Sequence, residues 1–207
     1  LSLHFYKMTW RTPLHNMRLT GKVPLRLLAT PVDPLPRDIA RGQAVRMGQF
    51  HYRGEQHDLD GLDYDNTPFH PCMADYIHRF DWLRDLAAAL PNYGEGAPIA
   101  SAITQKWIAG NSNRIREPAW RIDNSMWRLV NMAASAPYIL SSRDPIYRSK
   151  VTNHLARTAR HLDQSTPRAA PGLPRLAGWI GIIAASLLLP EGEARRSVGE
   201  NGIAKAL

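Results

Sequence analysis

The chain has 207 residues, enough for one domain with a substantial core, and 26 basic against 18 acidic residues give it a net charge of +8. This charge favours a polyanionic partner, which leaves nucleic acid, an anionic membrane and an acidic polysaccharide as candidates. The single cysteine, Cys72, excludes an internal disulfide, and the absence of a Gly/Ser-rich linker argues against two small domains.

The first 36 residues form a proline-rich lead-in. Prolines at positions 13, 24, 31, 34 and 36 oppose a long helix, so residues 1–36 are predicted to be irregular or short-helical. No apolar segment typical of a signal peptide is visible there, so the compartment stays open. Because the sequence starts at Leu1 and ends at Leu207 inside a predicted helix, we expect a fragment truncated at its C-terminal end.

Apolar residues recur with helical spacing through most of residues 37–207. Asp38 and Asp144 stand where the N-terminal caps of two helices are expected, whereas Phe50 and Tyr52 offer at most a short strand. Short connections make consecutive helices antiparallel neighbours, so we predict an all-α fold of αα-hairpins arranged as a bundle or a ring. The predicted helices cover residues 38–47, 74–90, 98–109, 119–140, 145–162, 173–189 and 191–207.

The helix predicted at residues 173–189 is almost wholly apolar, which is compatible with either a membrane span or a core helix. Its uncharged run after Arg175 has fourteen residues, whereas a spanning helix needs about 20. We therefore predict no membrane span and a helix that is buried on all sides.

The segment 120–131, WRIDNSMWRLVN, has two different faces when it is arranged as a helix. One face is ordinary and apolar, whereas the other combines two indoles with an acid, two amides and a guanidinium. Flat aromatic rings with hydrogen-bonding groups between them suit a sugar, although the indoles are equally compatible with packing residues whose N–H groups are satisfied. The candidate substrate-binding residues on this face are Trp120, Asp123, Asn124, Trp127, Arg128 and Asn131.

Four segments together resemble the bacterial heparinase II/III-like proteins, in the same order along the chain. They are PVDPLPRDIARGQAVRMGQF at 31–50, HRFDWLRDL at 78–86, WRIDNSMWRLVNM at 120–132 and PGLPRLAGWIGIIAASLLL at 171–189. The resemblance covers most of the chain. It implies an incomplete (α/α) toroid over residues 37–207, followed by a C-terminal β-sandwich domain that would lie beyond this chain.

The resemblance also implies a polysaccharide lyase that cleaves uronate-containing chains by β-elimination. In that reaction a donor neutralises the uronate carboxylate, a base removes the C5 proton, and an acid protonates the leaving oxygen. The partner implied is therefore an acidic, uronate-containing polysaccharide.

This sequence departs from the lyase pattern where the chemistry is expected. Lyases of the family carry an Asn-His or similar pair at the start of the apolar helix, and the matching residues here are Leu173 and Pro174, which cannot donate to a carboxylate. Arg175 next to them could pair with a carboxylate and joins the substrate-binding candidates. The remaining catalytic groups, a tyrosine and a histidine, are expected after Leu207. The catalytic residues thus stay unknown, and this chain alone is predicted to be inactive.

Other kinds of chemistry are less well supported. His154 and His161 lie seven residues apart, which is too far for one metal ion on a single helix, so we expect neither a metal nor a cofactor. Basic residues at 147–161 are spread around their helix, which argues against nucleic acid as the partner. The alternative to a lyase is a non-catalytic helical binding or interaction module, with the two-tryptophan face as its docking surface.

Overall fold

The computed structural model describes residues 3–10, 12–64, 66–190 and 192–206, and most of them are helical. The all-α class is therefore confirmed. Leu1 and Leu207, on which the expectation of a fragment was based, lie outside the described residues. The helices are α1 (Leu3–Thr9), α2 (Pro13–Arg18), α3 (Ile39–Arg46), α4 (Pro71–His78), α5 (Asp81–Ala89), α6 (Tyr93–Asn111), α7 (Ile122–Ala134), α8 (Ala136–Ile139), α9 (Pro145–Ser165), α10 (Leu173–Leu188) and α11 (Glu193–Ala204).

A short antiparallel hairpin, β1 (Gln49–Tyr52) and β2 (Glu55–Asp58), interrupts the helices. Its two-residue turn has positive φ angles at Arg53 and Gly54, the geometry that matches the twist of the flanking strands. The sequence predicted at most one strand here, because the second strand is polar and carries no apolar alternation.

The lead-in is short-helical in its first half and irregular in its second half. Tyr6 of α1, Trp10 and Leu19 are buried, and the Tyr6 hydroxyl donates to Gln164 Oε1 of α9 at 2.7 Å. Residues 19–38 contain no regular element, but the Leu28 amide donates to the carbonyl of Leu188 at 2.9 Å. The lead-in therefore belongs to the packed domain rather than preceding it.

Both predicted helix caps are confirmed. The Asp38 side chain accepts a hydrogen bond from the Arg41 amide at the start of α3, and Asp144 accepts one from the Ile146 amide at the start of α9. Each carboxylate satisfies an amide that the first helical turn leaves without a partner.

The prediction of a single helix at residues 74–90 is wrong, because the chain turns sharply between α4 and α5. Phe80 has a positive φ of 64° and is fully buried, an unfavourable backbone conformation for a bulky residue. The turn releases the carbonyls of His78 and Arg79 from helical hydrogen bonding. They accept hydrogen bonds instead from Arg128 and Asn131 of α7.

The predicted helix at residues 119–140 is also divided, into α7 and α8, with Ser135 between them. Pro137 lies in the first turn of α8, where its missing N–H would have no helical partner in any case. The proline therefore starts a new helix rather than straining a long one.

Helix α10 is not buried on all sides, contrary to the prediction. Ile182, Ala185 and Leu188 face the core, whereas Leu173, Ile180 and Leu187 are exposed. Helices α7, α9 and α11 pack against α10 and leave one of its faces open. In the described part of the chain, no helix is both long and apolar enough to cross a bilayer.

Helix α7 is the central element of the domain, since it packs against α4, α5, α9 and α10. Close approach of α10 depends on Gly181, where a Cβ atom would lie 2.8 Å from Leu162 Cδ1 and 3.1 Å from Met126 Cβ. On the apolar face of α7, Ile122, Met126, Leu129 and Ala133 are buried as predicted, and Val130 is half-buried.

Candidate functional site

Most of the polar face of α7 points into the protein, and only its edge, at Asp123 and Trp127, borders an open groove. Of the residues predicted to bind substrate, Trp120, Asn124, Arg128 and Asn131 are buried, and Asp123, Trp127 and Arg175 are half-buried. Burial of this face means that its polar groups must be satisfied from inside the domain.

Arg128 is fully buried, and each of its nitrogens finds an acceptor. Nη1 donates to the carbonyls of His78 at 3.0 Å and Ala119 at 2.6 Å, and Nε donates to His154 Nε2 at 3.1 Å. Burial lowers the pKa of Arg128 to about 9, so the guanidinium still carries its charge at neutral pH. Arg128 therefore holds helices together and is not available to a ligand.

Two indoles enclose the buried charge. The guanidinium carbon of Arg128 lies 4.7 Å from the ring centroid of Trp107 and 5.2 Å from that of Trp120. The N–H of Trp120 donates to the carbonyl of Asn111 at 2.8 Å. The geometry thus matches the packing alternative for Trp120, because its ring faces a cation of the protein and its N–H is satisfied.

The two amides of the predicted face are also fully engaged. Asn131 donates to the carbonyl of Arg79 at 2.9 Å and to Asp81 Oδ1 at 2.8 Å. Asn124 donates to Asp75 Oδ1 at 3.1 Å and to the carbonyl of Pro118 at 3.0 Å. Both side chains therefore tie α7 to the region around α4 and α5.

Asp123 belongs to an ion-pair cluster at the edge of this network. Arg121 Nε lies 2.6 Å from Asp123 Oδ1, Arg121 Nη2 lies 2.7 Å from Asp75 Oδ1, and Arg79 Nη2 lies 2.7 Å from Asp123 Oδ2. Partial burial opposes ionisation, but hydrogen bonds and charges from Arg121 and Arg79 leave the pKa of Asp123 below its usual value. The carboxylate is already neutralised by protein cations.

A groove of about 490 Å³ lies between α7 and α10, with α1 at one end. Two predicted residues, Asp123 and the half-buried Trp127, line it, together with Leu173 and Pro174. The rest of its lining is mainly apolar and includes Ile122, Met126, Leu176, Ala177 and Ile180.

The charged groups around this groove are paired with one another. Lys7 Nζ lies 2.5 Å from Glu117 Oε1, and Arg121 is held by the acids described above. Arg175 is not among the lining residues, and its Nε donates to the carbonyl of Ala169 at 2.8 Å. The groove therefore offers an apolar surface with a neutralised rim, rather than free cations for a carboxylate.

Buried histidines form a part of the core that was not predicted, since His154 and His161 were considered only as metal ligands. His154 and His161 of α9 pack edge-on against Trp120, with ring centroids 5.6 and 5.1 Å from its ring. Their seven-residue spacing places both on one face of α9, and a hydroxyl residue follows each after four positions, Thr158 and Ser165. That repeated pattern was visible in the sequence. Among the described residues, no group of three or more His, Cys, Asp or Glu side chains could hold a metal ion.

Burial keeps these histidines neutral. It is the largest cause that lowers the pKa of His78 from 6.5 to about 3, with Arg128 and Arg121 adding to it, and it also lowers the pKa of His161 to about 3. His78 Nδ1 accepts from Trp107 Nε1 at 3.0 Å and His154 Nε2 accepts from Arg128, so both nitrogens must be unprotonated.

The comparisons with known proteins found one similar sequence. The chain is 29% identical over 177 residues to FtsZ-localized protein C of Caulobacter vibrioides. The alignment covers 83% of this chain but 30% of the relative, so the chain spans about 30% of that protein's length. No family model and no solved structure matches the chain.

We expect Arg128→Met to lower the free energy of unfolding by about 3–5 kcal/mol, since it leaves the buried carbonyls of His78 and Ala119 without their donor. Urea denaturation followed by tryptophan fluorescence measures the change. The matched control is Arg148→Met at an exposed position of α9, which should change stability by about 0.5 kcal/mol or less. Equal unfolding midpoints for Arg128→Met and the parent would contradict a structural role.

Stability should fall steeply as the pH drops below 6.5. The unfolded chain binds protons on its histidines near pH 6.5, whereas folded His78 and His161 resist protonation down to about pH 3. Each such histidine therefore lowers the free energy of unfolding by about 1.4 kcal/mol for every pH unit below 6.5. Above pH 6.5 the histidine is neutral in both states, and this loss of stability does not occur. Urea midpoints measured at about pH 7.5 and about pH 5 test this.

His161→Gln provides the internal control for the pH dependence. Glutamine keeps an N–H donor for the carbonyl of Trp120, which His161 Nε2 contacts at 2.9 Å, but it does not titrate. The free energy of unfolding should then fall less steeply with decreasing pH, because unfolding of the variant takes up about one proton fewer. A slope identical to that of the parent would show that His161 is protonated in the folded state.

Proposed function

We propose that this chain is a non-catalytic helical interaction domain of the heparinase II/III-like type, in a protein that localises with FtsZ. The groove between α7 and α10 carries this proposal. It has the apolar lining and neutralised rim that suit a protein surface, and Leu173 and Pro174, which the resemblance aligns with the donors of a lyase, cannot donate to a carboxylate.

The lyase-like scaffold is part of the same proposal. We place the helices after the lead-in in an incomplete (α/α) toroid, and we expect a β-sandwich domain to follow in the longer protein. The support is the order of the four resembling segments and the succession of helices, most of them joined by short connections. The elimination chemistry would then depend on groups outside this chain.

The link to FtsZ rests on the relative. FtsZ-localized protein C is, by its name, found with FtsZ, and its similarity extends over 83% of the present chain at 29% identity. On the strength of that similarity we assign the same cellular location to this chain.

A fluorescent fusion of this chain, expressed in bacterial cells that contain labelled FtsZ, tests the location. We expect the fusion to concentrate where FtsZ does and to disperse when FtsZ is depleted, while the fluorescent protein alone stays diffuse. Diffuse fluorescence from a fusion of full length, in cells whose FtsZ is assembled, would refute the location.

Binding of an acidic polysaccharide is the second candidate, because the half-buried indole of Trp127 lines the groove and the chain carries a net charge of +8. An indole face at the side of a groove suits a sugar ring. In this case the groove would hold a uronate oligosaccharide without cleaving it.

Titration with uronate oligosaccharides should then change tryptophan fluorescence in the parent and not in Trp127→Phe. No unsaturated uronate ends should appear in ultraviolet absorbance, because positioned donors and bases contribute orders of magnitude in rate and Leu173 and Pro174 supply neither. Trp179→Phe, a half-buried indole under α11, is the matched control. Steady production of unsaturated ends would contradict the non-catalytic assignment.

A further inference from the structure

A second cavity, of about 720 Å³, lies between residues 21–28 and the helices behind them. Helix α9 contributes Ala156 and Arg160 to its lining, and the residues after α10 contribute Leu189 and Pro190. Among the described residues, none lines both this cavity and the groove between α7 and α10. The volume of the cavity is typical of a site for a small molecule.

The charged groups that line this cavity are basic in the described part of the chain. They are Lys22, Arg26, Arg160 and Arg195. Arg195 is paired with an acid, since its Nη2 lies 2.9 Å from Asp163 Oδ2. The cavity therefore differs from the groove, whose rim is neutralised, and its charge favours a negatively charged ligand.

Arg160 is half-buried and is held in place by backbone carbonyls. Its Nη1 donates to the carbonyl of Leu19 at 3.0 Å, and its Nη2 donates to the carbonyl of Lys22 at 2.6 Å. Gly21 allows this close approach, because a Cβ atom there would lie 2.8 Å from Nη2. A guanidinium has five N–H donors, and two of them are used here, so three remain for a ligand on a side chain that is already fixed.

The positive charge of Arg160 is not balanced by these contacts, because both acceptors are neutral carbonyls. Burial and the neighbouring charge of Arg195 lower the pKa of Arg160, and Asp163 opposes this effect only in part. Asp163 is itself engaged by Arg195. A carboxylate beside Arg160 would accept charge-assisted hydrogen bonds from it and offset the repulsion from Arg195.

Much of the remaining lining is apolar. Ala156 and Leu189 are buried in the wall formed by the helices, whereas Val23, Leu25 and Leu28 are exposed on the opposite wall. An anion without an apolar part, such as inorganic phosphate, would leave these side chains in contact with water. An aliphatic chain attached to the anion would cover them.

We propose that this cavity binds an aliphatic carboxylate, with the carboxylate on Arg160 and the chain against Leu25 and Leu189. One carboxylate matches the half-buried guanidinium that the protein surrounds with neutral acceptors. The exposed Arg26 adds to the attraction of an anion toward the cavity. This site goes beyond the proposed interaction domain and depends neither on the groove beside α7 nor on FtsZ.

Isothermal titration calorimetry with decanoate, below its micelle concentration, tests the site. We expect one bound decanoate per chain and no measurable binding of acetate, which has the charge without the chain. Decanol has the chain without the charge and should bind at least about tenfold more weakly than decanoate. Equal affinity for decanoate and decanol would indicate apolar adsorption alone and overturn the proposal, as would a parent that does not bind decanoate.

Arg160→Gln tests the role of the guanidinium. The variant should lose the preference for decanoate over decanol, because only the carboxylate interacts with the charge. A general loosening of the fold would weaken both ligands alike and keep their ratio. A ratio equal to that of the parent would therefore contradict the proposed contact.

Leu25→Asp tests whether the ligand lies in this cavity. Leu25 is 100% exposed, so its replacement leaves the core intact but places a second carboxylate beside the bound one. The affinity for decanoate should fall by at least about tenfold. The matched control is Val32→Asp, at an apolar residue that is 89% exposed in the same irregular segment and outside the lining, and it should bind like the parent. Equal loss in both variants, or loss in neither, would overturn the site.

Sedimentation with phosphatidylglycerol vesicles separates a free ligand from a membrane, because exposed leucine beside basic residues also suits a lipid surface. Pelleting that Leu25→Asp abolishes, in a parent that does not bind decanoate, would assign this surface to a membrane and overturn the ligand site. One decanoate bound per chain supports the ligand site with or without pelleting.

Discussion

The domain depends on one buried positive charge. The guanidinium of Arg128 lies between the rings of Trp107 and Trp120 and donates to the carbonyls of His78 and Ala119 and to His154. A guanidinium that is buried away from water is tolerated only if each of its N–H groups has a hydrogen-bond acceptor. The segments that supply these acceptors therefore cannot move independently. Helices α4, α6, α7 and α9 are joined at this point.

The irregular features of the fold supply acceptors to this network. The left-handed backbone of Phe80 separates α4 from α5 and frees the carbonyls that accept from Arg128 and Asn131. The neutral imidazoles of His78 and His154 provide further acceptors, which explains why histidines are found in the core of this domain. Local strain and burial of neutral histidine are thus offset by the hydrogen bonds to α7.

Because most of the polar face of α7 is buried inside the protein, a different surface is available to a partner. The groove between α7 and α10 is mainly apolar, and the ion pairs at its rim are internal. Such a surface is better suited to a helix of a protein than to a uronate, which needs free donors. The proposal of an interaction domain follows from that difference.

Helical periodicity and end signals were enough to predict the all-α class and the caps at Asp38 and Asp144, because these features depend on local geometry. Periodicity defines the faces of a helix but not the neighbour that covers each face. The tertiary structure therefore decided that the polar face of α7 is internal, that the apolar α10 is open on one side, and that the chain turns at Phe80. All three depend on contacts between residues that are distant in sequence, where packing and buried hydrogen bonds outweigh local preference.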